Sequence, residues 1–503
     1  MTPLPLFPSR EKFRELAGQG NLIPVCTEFV ADCETSVGVF KKIDNGVRSF
    51  LLESAENNDH VGRYSFLGSD PRIYFEANGK KVLIEEEGKT REFETPNDPL
   101  EELQKLMAQF KVVKLPGLPP FTGGAVGYLG FDTVRFFEPT IGEPPPDQIG
   151  VPEMVFMVTD AFLVFDHRFR RLKIFANALI SNDGADVAYD MAERKIHAII
   201  RKLQTPTQTR LMNAAPVAVS LSPHSNTTQE EYYEMVRRAK EHIKSGDIFQ
   251  MVPSQRFEAH YEGNPLALYR ALRFINPSPY MFCLRLGRKF ALIGSSPEVH
   301  VRLLDGEVKI RPIAGTRKRG TTSEEDQLLA KQLLADPKER AEHLMLVDLA
   351  RNDVGHISEF GSVKLTDFLT IEWYSHVMHI VSNVVGRLRE GQTAYDVMRA
   401  TFPAGTVSGA PKVRAMQLIY KFEKGKRGVY AGAVGYFGFD GQLDSCIALR
   451  TVLLKDDTAF VQVGGGVVAD SEPEAEYQES VNKAMAVFRA IERVGSSYDS
   501  GPG

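Results

Sequence analysis

The hydrophobic positions of this chain follow two periods, and stretches of one kind alternate with stretches of the other. Runs in which apolar and polar residues alternate predict β-strands, because successive side chains of a strand point to opposite faces. Apolar residues three and four positions apart predict helices, for example near 100–110 and 185–203. The strand-like runs are RSFLLES, KVLIEEE, FLVFDHRFRRLKIFANAL, FALIGSS, EVHVRLL, EVKIRPIAG, HVMHIVSNVVGRL, AVGYFGFDG, CIALRTVLLKDD and AFVQVGGGVVAD. Long hairpins separated by helices predict an α+β fold with antiparallel sheets rather than a doubly wound parallel sheet.

A polar stretch, QTPTQTRLMNAAPVAVSLSPHSNTTQ at 204–229, divides the chain in two. It is rich in Thr, Ser, Pro and Asn and lies between two helical patterns, which is typical of a linker. Thr228 and Glu231 form a capping box that predicts a helix immediately after it. The predicted units are an N-terminal half at 1–204, a linker at 205–227, a second domain at 228–493 and a disordered tail at 494–503.

Composition excludes several classes of function. The chain has 503 residues, 43% of them hydrophobic and 25% charged, which is enough for two or three globular domains. A net charge of −5 leaves no basic footprint for nucleic acid, and no apolar run approaches the ~18 residues of a membrane span. The N-terminus has no basic segment followed by an apolar one, so we expect a cytoplasmic protein. None of the cysteines forms a CxxC pair, which predicts reduced thiols and no disulfide: Cys26, Cys33, Cys283 and Cys446.

One predicted helix carries a carboxylate in an unfavourable place. Asp336 followed by Pro337 is typical of a helix N-terminus, and the helix that it starts places Glu339 and Glu342 on one face. At about 100° per residue, Glu342 falls among apolar positions that include Leu346. A buried, unpaired carboxylate is costly, so Glu342 needs a partner.

A second helix offers that partner. Glu476 and Glu479 project from the side opposite an apolar stripe that contains Ala484 and Phe488. Four converging carboxylates without Cys or His favour Mg²⁺ over zinc. From spacing alone, the alternatives remain open that Glu339 is only a capping residue and that the second pair is only a solvated face.

A set of motifs over residues ~228–493 resembles the chorismate-utilising enzyme family, and LLES at 51–54 extends the resemblance into the N-terminal half. The motifs are GDIFQMVPSQRF, INPSPYMFCL, GSSPE, PIAGTRKRG, EHLMLVDLARNDVG, FPAGTVSGAPK, GVYAGAVGY, CIALRT and GGGVVADSEPEAEYQES. The resemblance implies large antiparallel sheets packed as a sandwich with helices on the outside. It also implies a Mg²⁺ cofactor, with Glu342 and Glu479 as ligands and Glu339 and Glu476 nearby or acting through water.

Two residues separate the subgroups of this family. Water-adding members carry a lysine base where this chain has Gln250, and a glutamine cannot take a proton from water. Members that make 4-amino-4-deoxychorismate carry a nucleophilic lysine where this chain has Ala314. Direct attack of ammonia on C2 of chorismate is the route that the resemblance leaves.

The resemblance also implies residues that bind the two carboxylates of chorismate. Arg450, expected on the strand CIALRT, would grip the enolpyruvyl carboxylate with its planar fork, and Tyr430 would support it. The backbone N–H groups of Gly464, Gly465 and Gly466 can form an anion-binding nest. Without the resemblance, a strand arginine is usually a surface charge and a run of glycines is usually a turn.

Proton transfer is assigned in the same way. Glu298, at the turn GSSPE, resembles the general acid of the family, which requires a pKa raised by burial. His379 lies on an alternating strand; by pattern alone it could be a core histidine, whereas the resemblance places it beside the substrate ring, where it would assist loss of pyruvate. Thr406 would line the pocket.

The expected activity is that of a Mg²⁺-dependent carbon–oxygen lyase that converts chorismate and ammonia to anthranilate and pyruvate through 2-amino-2-deoxyisochorismate, in tryptophan biosynthesis. Two alternatives stay open: an enzyme that stops after amination, and a non-catalytic tryptophan-binding protein. The cysteines lack the glycine-flanked setting of a glutamine amidotransferase nucleophile. The family therefore implies a separate amidotransferase subunit that supplies ammonia, in a hetero-oligomer.

The segments LLES and INPSPYMF resemble the two halves of a tryptophan feedback motif. An amino acid needs a buried acceptor and donor, which Glu53, Ser54 and the backbone near Asn276 and Ser278 could supply. An apolar slot would hold the indole ring. Each segment alone is also an ordinary strand end or turn. The residues predicted for this allosteric site are Leu52, Glu53, Ser54, Asn276, Pro279, Tyr280, Met281, Phe282 and Cys446.

Overall fold

The computed structural model describes residues 4–54, 62–207, 221–374 and 377–495. Within these ranges the helices are α1 Arg10–Leu16, α2 Ser36–Ile43, α3 Pro99–Ala108, α4 Val134–Phe137, α5 Ala185–Gln204, α6 Gln229–Lys244, α7 Pro265–Ile275, α8 Ser323–Ala335, α9 Pro337–Ile357, α10 Ala394–Thr401, α11 Lys412–Phe422 and α12 Pro473–Gly495. Short 3-10 helices occur at Phe131–Thr133, Pro139–Ile141 and Gly405–Val407.

The strands are β1 Leu22–Val30, β2 Ser49–Glu53, β3 Tyr64–Ser69, β4 Ile73–Asn78, β5 Lys81–Glu86, β6 Lys89–Glu94, β7 Gly124–Leu129, β8 Met154–Thr159, β9 Ala161–Asp166, β10 Arg171–Leu179, β11 His224–Ser225, β12 Gln250–Met251, β13 Ser254–His260, β14 Tyr280–Gly287, β15 Phe290–Ser296, β16 Val299–Leu304, β17 Glu307–Ile310, β18 Ile313–Lys318, β19 Lys364–Trp373, β20 Val377–Arg387, β21 Gly409–Ala410, β22 Ala433–Gly438, β23 Leu443–Ile447, β24 Thr451–Lys455 and β25 Thr458–Gly464.

Two large antiparallel sheets organise the described chain. The first has the order β1-β10-β9-β3-β2-β14-β15-β24-β25-β13-β11. The second has the order β18-β20-β17-β16-β23-β22-β7-β8-β4-β5-β6, with β19 also paired to β20. A separate small ladder joins β12 to β21. Both large sheets take strands from each half of the chain, because β2 pairs with β14 and β7 pairs with β22.

Three large apolar cores hold these layers together, and a small fourth one lies between α8 and β20. Between the sheets, Phe162 and Phe175 of the first sheet share a core with Val126 and Tyr436 of the second. A second core joins the other face of the first sheet to α1, α2, α5, α7 and α12, and a third joins the second sheet to α3, α6, α9, α10 and α11. Burying each large apolar side chain contributes roughly 1.5–3 kcal/mol, so this layering is strongly favoured. The predicted α+β sandwich with helices outside is confirmed.

Local signals set the helix ends as the sequence predicts. Thr228 and Glu231 form both hydrogen bonds of the capping box at α6. Asp336 caps α9, and Pro337 occupies its first position, where no N–H is needed. The division into domains stays a prediction; most of the expected linker and tail, at 208–220 and 496–503, lies outside the described residues. The four cysteines are free. No helix in the described part of the chain is long and apolar enough to pass through a bilayer.

Candidate active site

The N-terminal half of α9 presents the first pair of predicted glutamates. Asp336 accepts hydrogen bonds from the backbone N–H groups of Lys338, at 3.0 Å, and Glu339, at 3.3 Å, which fixes the first turn. Glu342 follows one turn later and is partly buried, next to the buried side of the helix at Leu346. The cap therefore determines where both carboxylates are presented.

The glutamates of α12 lie within electrostatic range of those of α9. Burial raises the pKa of Glu342, and the charges of Glu339, Glu479 and Glu476 raise it further. Burial also raises the pKa of Glu476, and the charge of Glu479 adds to this effect. Each carboxylate is thus easier to ionise when a cation is present. Glu339, Glu476 and Glu479 thus all lie within electrostatic range of Glu342, and these four residues are called the glutamate cluster below.

The cluster is not a closed cage. Glu479 pairs with Lys483 at 2.7 Å, and Lys483 also donates to the carbonyl oxygen of Gly464 at 3.0 Å. Glu339 accepts a hydrogen bond from Arg317 at 3.3 Å. Among the described residues, no group of three or more His, Cys, Asp or Glu side chains is close enough to hold a metal ion by itself. An all-carboxylate donor set, in which burial raises the pKa of Glu342 and of Glu476, nevertheless fits a hard divalent cation that takes its other ligands from water and substrate.

The glycine run that begins at the last residue of β25 lies against two site residues, Tyr430 and Glu476. A Cβ atom at Gly464 would lie 2.5 Å from the carbonyl oxygen of Pro253 and 2.9 Å from the hydroxyl of Tyr430. At Gly465 it would lie 3.0 Å from a carboxylate oxygen of Glu476. At Gly464 only glycine allows this close approach, so the chain exposes its backbone between the glutamates and Tyr430.

Gln250 closes the other side of this glycine run. A Cβ atom at Gly466 would lie 2.3 Å from the side-chain nitrogen of Gln250. Gln250 is buried on β12, and its Oε1 has no hydrogen-bond partner among the described residues. A buried acceptor without a partner is costly, which is typical of a site that a ligand completes. Ala314 is buried on β18 opposite Ile380, so no nucleophile occupies that position.

Tyr430 is buried and rigidly supported. Burial raises the pKa of Tyr430 to about 12, so its hydroxyl stays protonated and can donate to a carboxylate. The guanidinium of Arg427 lies 5.5 Å from the centre of its ring and is held by Glu423 and by the carbonyl oxygens of Val407 and Val252. A small cavity lined by Arg427, Tyr430 and neighbouring side chains lies between the sheets at this point.

Glu298 occupies the turn between β15 and β16 and is almost fully buried. Thr406 donates a hydrogen bond of 2.7 Å to its carboxyl group. Burial raises the pKa of Glu298 to about 8, although the hydrogen bond from Thr406 lowers it. Both residues line one cavity, together with Pro312 and Leu349. Glu298 is therefore mostly protonated at neutral pH, as a general acid requires.

The ring of His379 is held in one orientation by hydrogen bonds at its Nδ1 atom. Its Nδ1 lies 3.1 Å from the carbonyl oxygen of Gly315 and 3.0 Å from the hydroxyl of Thr316. A carbonyl oxygen can only accept, so Nδ1 carries the hydrogen and the neutral ring has an unprotonated Nε2. Burial lowers the pKa of His379, and the positive charge of Arg450 lowers it further. The histidine is thus a neutral base near Arg450.

The expectation that Arg450 lies on a strand is wrong. β23 ends at Ile447 and β24 begins at Thr451, and Arg450 lies between them with a φ of 47°. This left-handed conformation is uncommon for a residue with a side chain and is typical of functional sites. The guanidinium is open to solvent, yet the surrounding protein desolvates it enough to lower its pKa. Its Nη1 donates to Oδ1 of Asn276 at 3.4 Å.

The two halves of the predicted tryptophan motif are adjacent strands. Leu52 pairs with Phe282, and Glu53 pairs with Met281. Glu53 is buried and accepts hydrogen bonds from Ser36 at 2.5 Å, from Tyr269 and from Arg273 at 3.1 Å. The strand pairing therefore places LLES and INPSPYMF together, as the motif requires.

The apolar residues of that motif divide between two faces. Met281 belongs to the core under the outer helices, whereas Phe282, Tyr280, Leu52 and Cys446 belong to or pack against the core between the sheets. The division follows from the alternation of side chains along β14. Pro279 is buried, and the hydroxyl of Tyr280 donates to Asp444 at 2.8 Å. A single slot for the indole ring therefore cannot be lined by both Met281 and Phe282, because their side chains lie on opposite faces of β14.

Sequence reasoning missed two supporting residues. Thr316 lies two residues after Ala314 in the motif PIAGTRKRG, and its hydroxyl contacts His379. Arg427 lies three residues before Tyr430, and its partner Glu423, which follows the last residue of α11, lies four residues before Arg427. The pair lies beyond the end of α11 at Phe422, so no helical periodicity indicates it, and the contact of Arg427 with the ring of Tyr430 has no local signal either.

Comparisons with known proteins identify the family. The model for chorismate binding enzymes matches residues 48–489. The chain belongs to the chorismate binding enzyme family. Anthranilate synthase component 1 of Acetivibrio thermocellus is 46% identical to it over 497 residues, covering 97% of this chain and 99% of the relative. The protein of the same name from Aquifex aeolicus is 47% identical over 492 residues, covering 98% and 99%.

A solved structure of this family supports the same assignment. The crystal structure of anthranilate synthase component I from Streptococcus pneumoniae TIGR4 superposes with a TM-score of 0.75 at 39% identity. It covers 86% of this chain and 93% of the other. This member of the chorismate binding family therefore resembles anthranilate synthase component I in sequence and in fold.

Proposed function

We propose that the chain is the large subunit of an anthranilate synthase, which converts chorismate and ammonia to anthranilate and pyruvate. The observation that carries the proposal is the buried Glu298, whose pKa of about 8 keeps a proton available beside the hydroxyl of Thr406. Loss of the C4 hydroxyl of chorismate requires such a proton donor. The similarity to anthranilate synthase component 1 over nearly the whole chain supports the choice of reaction.

The chain offers complementary groups for the two carboxylates of chorismate. Arg450 would bind the enolpyruvyl carboxylate through its planar fork, with Tyr430 donating a further hydrogen bond. The backbone of Gly464–Gly466 would bind the ring carboxylate. Glu342 and Glu479 would hold Mg²⁺, with Glu339 and Glu476 near it. When bound, the ion would neutralise the ring carboxylate among these glutamates.

In the first half-reaction, ammonia attacks C2, the ring double bonds shift, and the C4–O bond breaks. Glu298 gives its proton to the departing hydroxyl, which leaves as water. The product is 2-amino-2-deoxyisochorismate. Gln250 cannot activate water and Ala314 cannot attack the ring, so neither diverts the reaction.

In the second half-reaction, the bond between the ring and the enolpyruvyl oxygen breaks, and the group leaves as the enolate of pyruvate, which takes a proton from solvent on its methylene carbon to give pyruvate. The ring loses its C2 proton and becomes aromatic. Nε2 of His379 is the unprotonated nitrogen and would accept that proton, while Gly315 holds Nδ1. The lowered pKa of His379 keeps this nitrogen free at neutral pH.

The chain needs a source of ammonia and a means of control. Cys26, Cys283 and Cys446 are buried with raised pKa values, so none of them resembles a reactive glutaminase thiol. We therefore assign ammonia supply to a separate glutamine amidotransferase subunit in a hetero-oligomer. The pairing of LLES with INPSPYMF supports L-tryptophan as a feedback inhibitor.

The test is product analysis with the purified chain. With chorismate, Mg²⁺ and ammonium, mass spectrometry should show anthranilate and pyruvate. Release of 2-amino-2-deoxyisochorismate alone would identify an enzyme that stops after amination, and no turnover would indicate a binding protein. Glutamine should support turnover only after the cognate amidotransferase is added; use of glutamine by the chain alone would contradict the assignment of subunits.

A further inference from the structure

Arg450 is attached to the turn that follows α7. The helix ends at Ile275, and the backbone N–H of Asn276 donates to the carbonyl oxygen of Leu272 at 2.8 Å. The side chain of Asn276 remains free for another contact, and its Oδ1 accepts the 3.4 Å hydrogen bond from Nη1 of Arg450. The last turn of α7 is therefore in contact with the residue assigned to the enolpyruvyl carboxylate.

Ser295 makes a second connection between the same two segments. Its backbone N–H donates to the carbonyl oxygen of Arg450 at 3.3 Å. Its hydroxyl contacts the carbonyl oxygen of Asn276 and lies 2.8 Å from the hydroxyl of Ser278. Ser295 is fully buried on β15. The backbone of Arg450, which is in the left-handed region, and its side chain are thus both held from the turn at 276–278.

The other side of α7 is attached to the LLES strand. Tyr269 and Arg273, one helical turn apart, both donate to Glu53 at the end of β2. Arg273 lies three residues before Asn276, so a rigid helical turn joins Glu53 to the contact with Arg450. A ligand that moves Glu53 or the turn at 276–279 would also move Asn276.

We propose that Asn276 is a positioning residue for Arg450, and that the Asn276–Arg450 contact transmits tryptophan binding to the chorismate pocket; the inference rests on the function proposed above. Asn276 is a neutral acceptor, so it orients the guanidinium without neutralising it. The Nε and Nη2 donors stay available for a bidentate contact with a carboxylate. Tryptophan binding that displaces Asn276 weakens chorismate binding, and chorismate weakens tryptophan binding by the same factor.

Two substitutions test the positioning role. Asn276→Ala removes the acceptor and should raise the KM for chorismate about fivefold, with kcat changed less than about twofold, since a hydrogen bond to a charged group is lost. Asn276→Asp keeps the shape but adds a carboxylate that competes with the substrate for Arg450, so its KM should rise further, at least about twentyfold. Salt should relieve the Asp variant more than the Ala variant.

Asn97→Ala is a matched control, because it also removes a hydrogen bond between an asparagine and a charged side chain, at 2.7 Å to Glu101 in an exposed position. It should leave KM unchanged. Equal KM values for the Ala and Asp variants, or a fall in kcat and melting temperature without a rise in KM, would overturn the positioning role.

Calorimetric titration tests the transmission. With Mg²⁺ but no ammonium, saturating chorismate should raise the Kd of tryptophan for the wild type about fivefold, the factor by which loss of the Asn276 contact weakens chorismate binding. In Asn276→Ala this ratio should fall to within about twofold of one, while the Kd without chorismate changes little. An unchanged ratio in an active variant overturns this inference alone. Absence of tryptophan binding by the wild type overturns both this inference and the proposed feedback, and absence of anthranilate overturns the proposed function itself.

Discussion

The hydroxyl of Thr406 donates a 2.7 Å hydrogen bond to the carboxyl group of Glu298. Burial and this bond act on the pKa of Glu298 in opposite directions, and burial dominates, which gives a value of about 8. The backbone is also fixed, since Ile447 donates its N–H to the carbonyl oxygen of Glu298 at 3.1 Å. The carboxyl group is therefore held in one place with its proton retained.

The first prediction concerns pH. At a fixed concentration of unprotonated ammonia, kcat/KM should fall as pH rises through about 8, because only protonated Glu298 can act as the acid. In Thr406→Val the ionised carboxylate loses a hydrogen bond, so the pKa of Glu298 rises and the falling limb moves to higher pH. Initial rates measured across pH with each variant check both statements.

In Glu298→Gln, kcat/KM should be reduced by about 10²-fold or more, and its pH profile should show no falling limb. Thr401→Val is a control for the loss of a buried threonine hydroxyl. The hydroxyl of Thr401 donates to the carbonyl oxygens of Val397 and Met398 in its own helix rather than to Glu298. If the falling limb of the pH profile of kcat/KM does not move in Thr406→Val, the pKa of a group other than Glu298 determines that limb.

The glutamate cluster should be destabilising without a cation. Glu342→Gln and Glu479→Gln should each abolish Mg²⁺-dependent activity and weaken Mg²⁺ binding in calorimetry, because both are assigned as ligands. The folded state raises the pKa of Glu342, so ionised Glu342 costs stability above that pKa. Removing its charge should therefore raise the unfolding free energy of the metal-free protein by about 0.3 kcal/mol, the scale of a like-charge helix pair.

Glu474→Gln provides the control on α12. Glu474 is exposed in the first turn of the same helix, and its loss should change neither Mg²⁺ affinity nor turnover. Full activity in Glu342→Gln or Glu479→Gln would exclude that residue as a ligand.

The sequence predicts individual helices and strands better than it predicts which residues of different elements come into contact. Asp336 and Pro337 determine the start of α9 locally, so the face that carries Glu342 follows from spacing. The left-handed Arg450 does not follow, since its bend depends on Ser295 and Asn276 from distant segments. Similarly, the contacts of Ser295 and Thr316 do not follow from the motifs GSSPE and PIAGTRKRG that contain them; only the packing of β15, β18 and β20 shows what they contact.

Glycine substitutions should have graded effects. At Gly464 an added methyl group meets the backbone oxygen of Pro253 at 2.5 Å, which cannot move easily. Gly464→Ala should lower the unfolding free energy by about 1–3 kcal/mol, as overpacking does, and reduce turnover strongly. At Gly465 the methyl group meets only the ends of two side chains, Glu476 at 3.0 Å and Glu479 at 4.0 Å. Gly465→Ala should keep the wild-type stability and mainly raise the KM for chorismate, as denaturant melts and steady-state kinetics can show; equal losses of stability would contradict the geometry.

Ser54 follows Glu53 directly at the end of β2, beside the strand that carries Met281. In Ser54→Phe a large ring enters the predicted tryptophan slot, whereas the chorismate pocket keeps Arg450, Glu298 and His379. The concentration of tryptophan that halves ammonia-dependent turnover should rise at least about tenfold, or ~1.4 kcal/mol, while turnover without tryptophan stays nearly intact. Ser222→Phe adds the same ring at an exposed position and should leave inhibition unchanged. If Ser54→Phe is inhibited like the wild type, tryptophan does not bind beside LLES; if Ser222→Phe is equally resistant, the added ring acts through general destabilisation rather than through the slot.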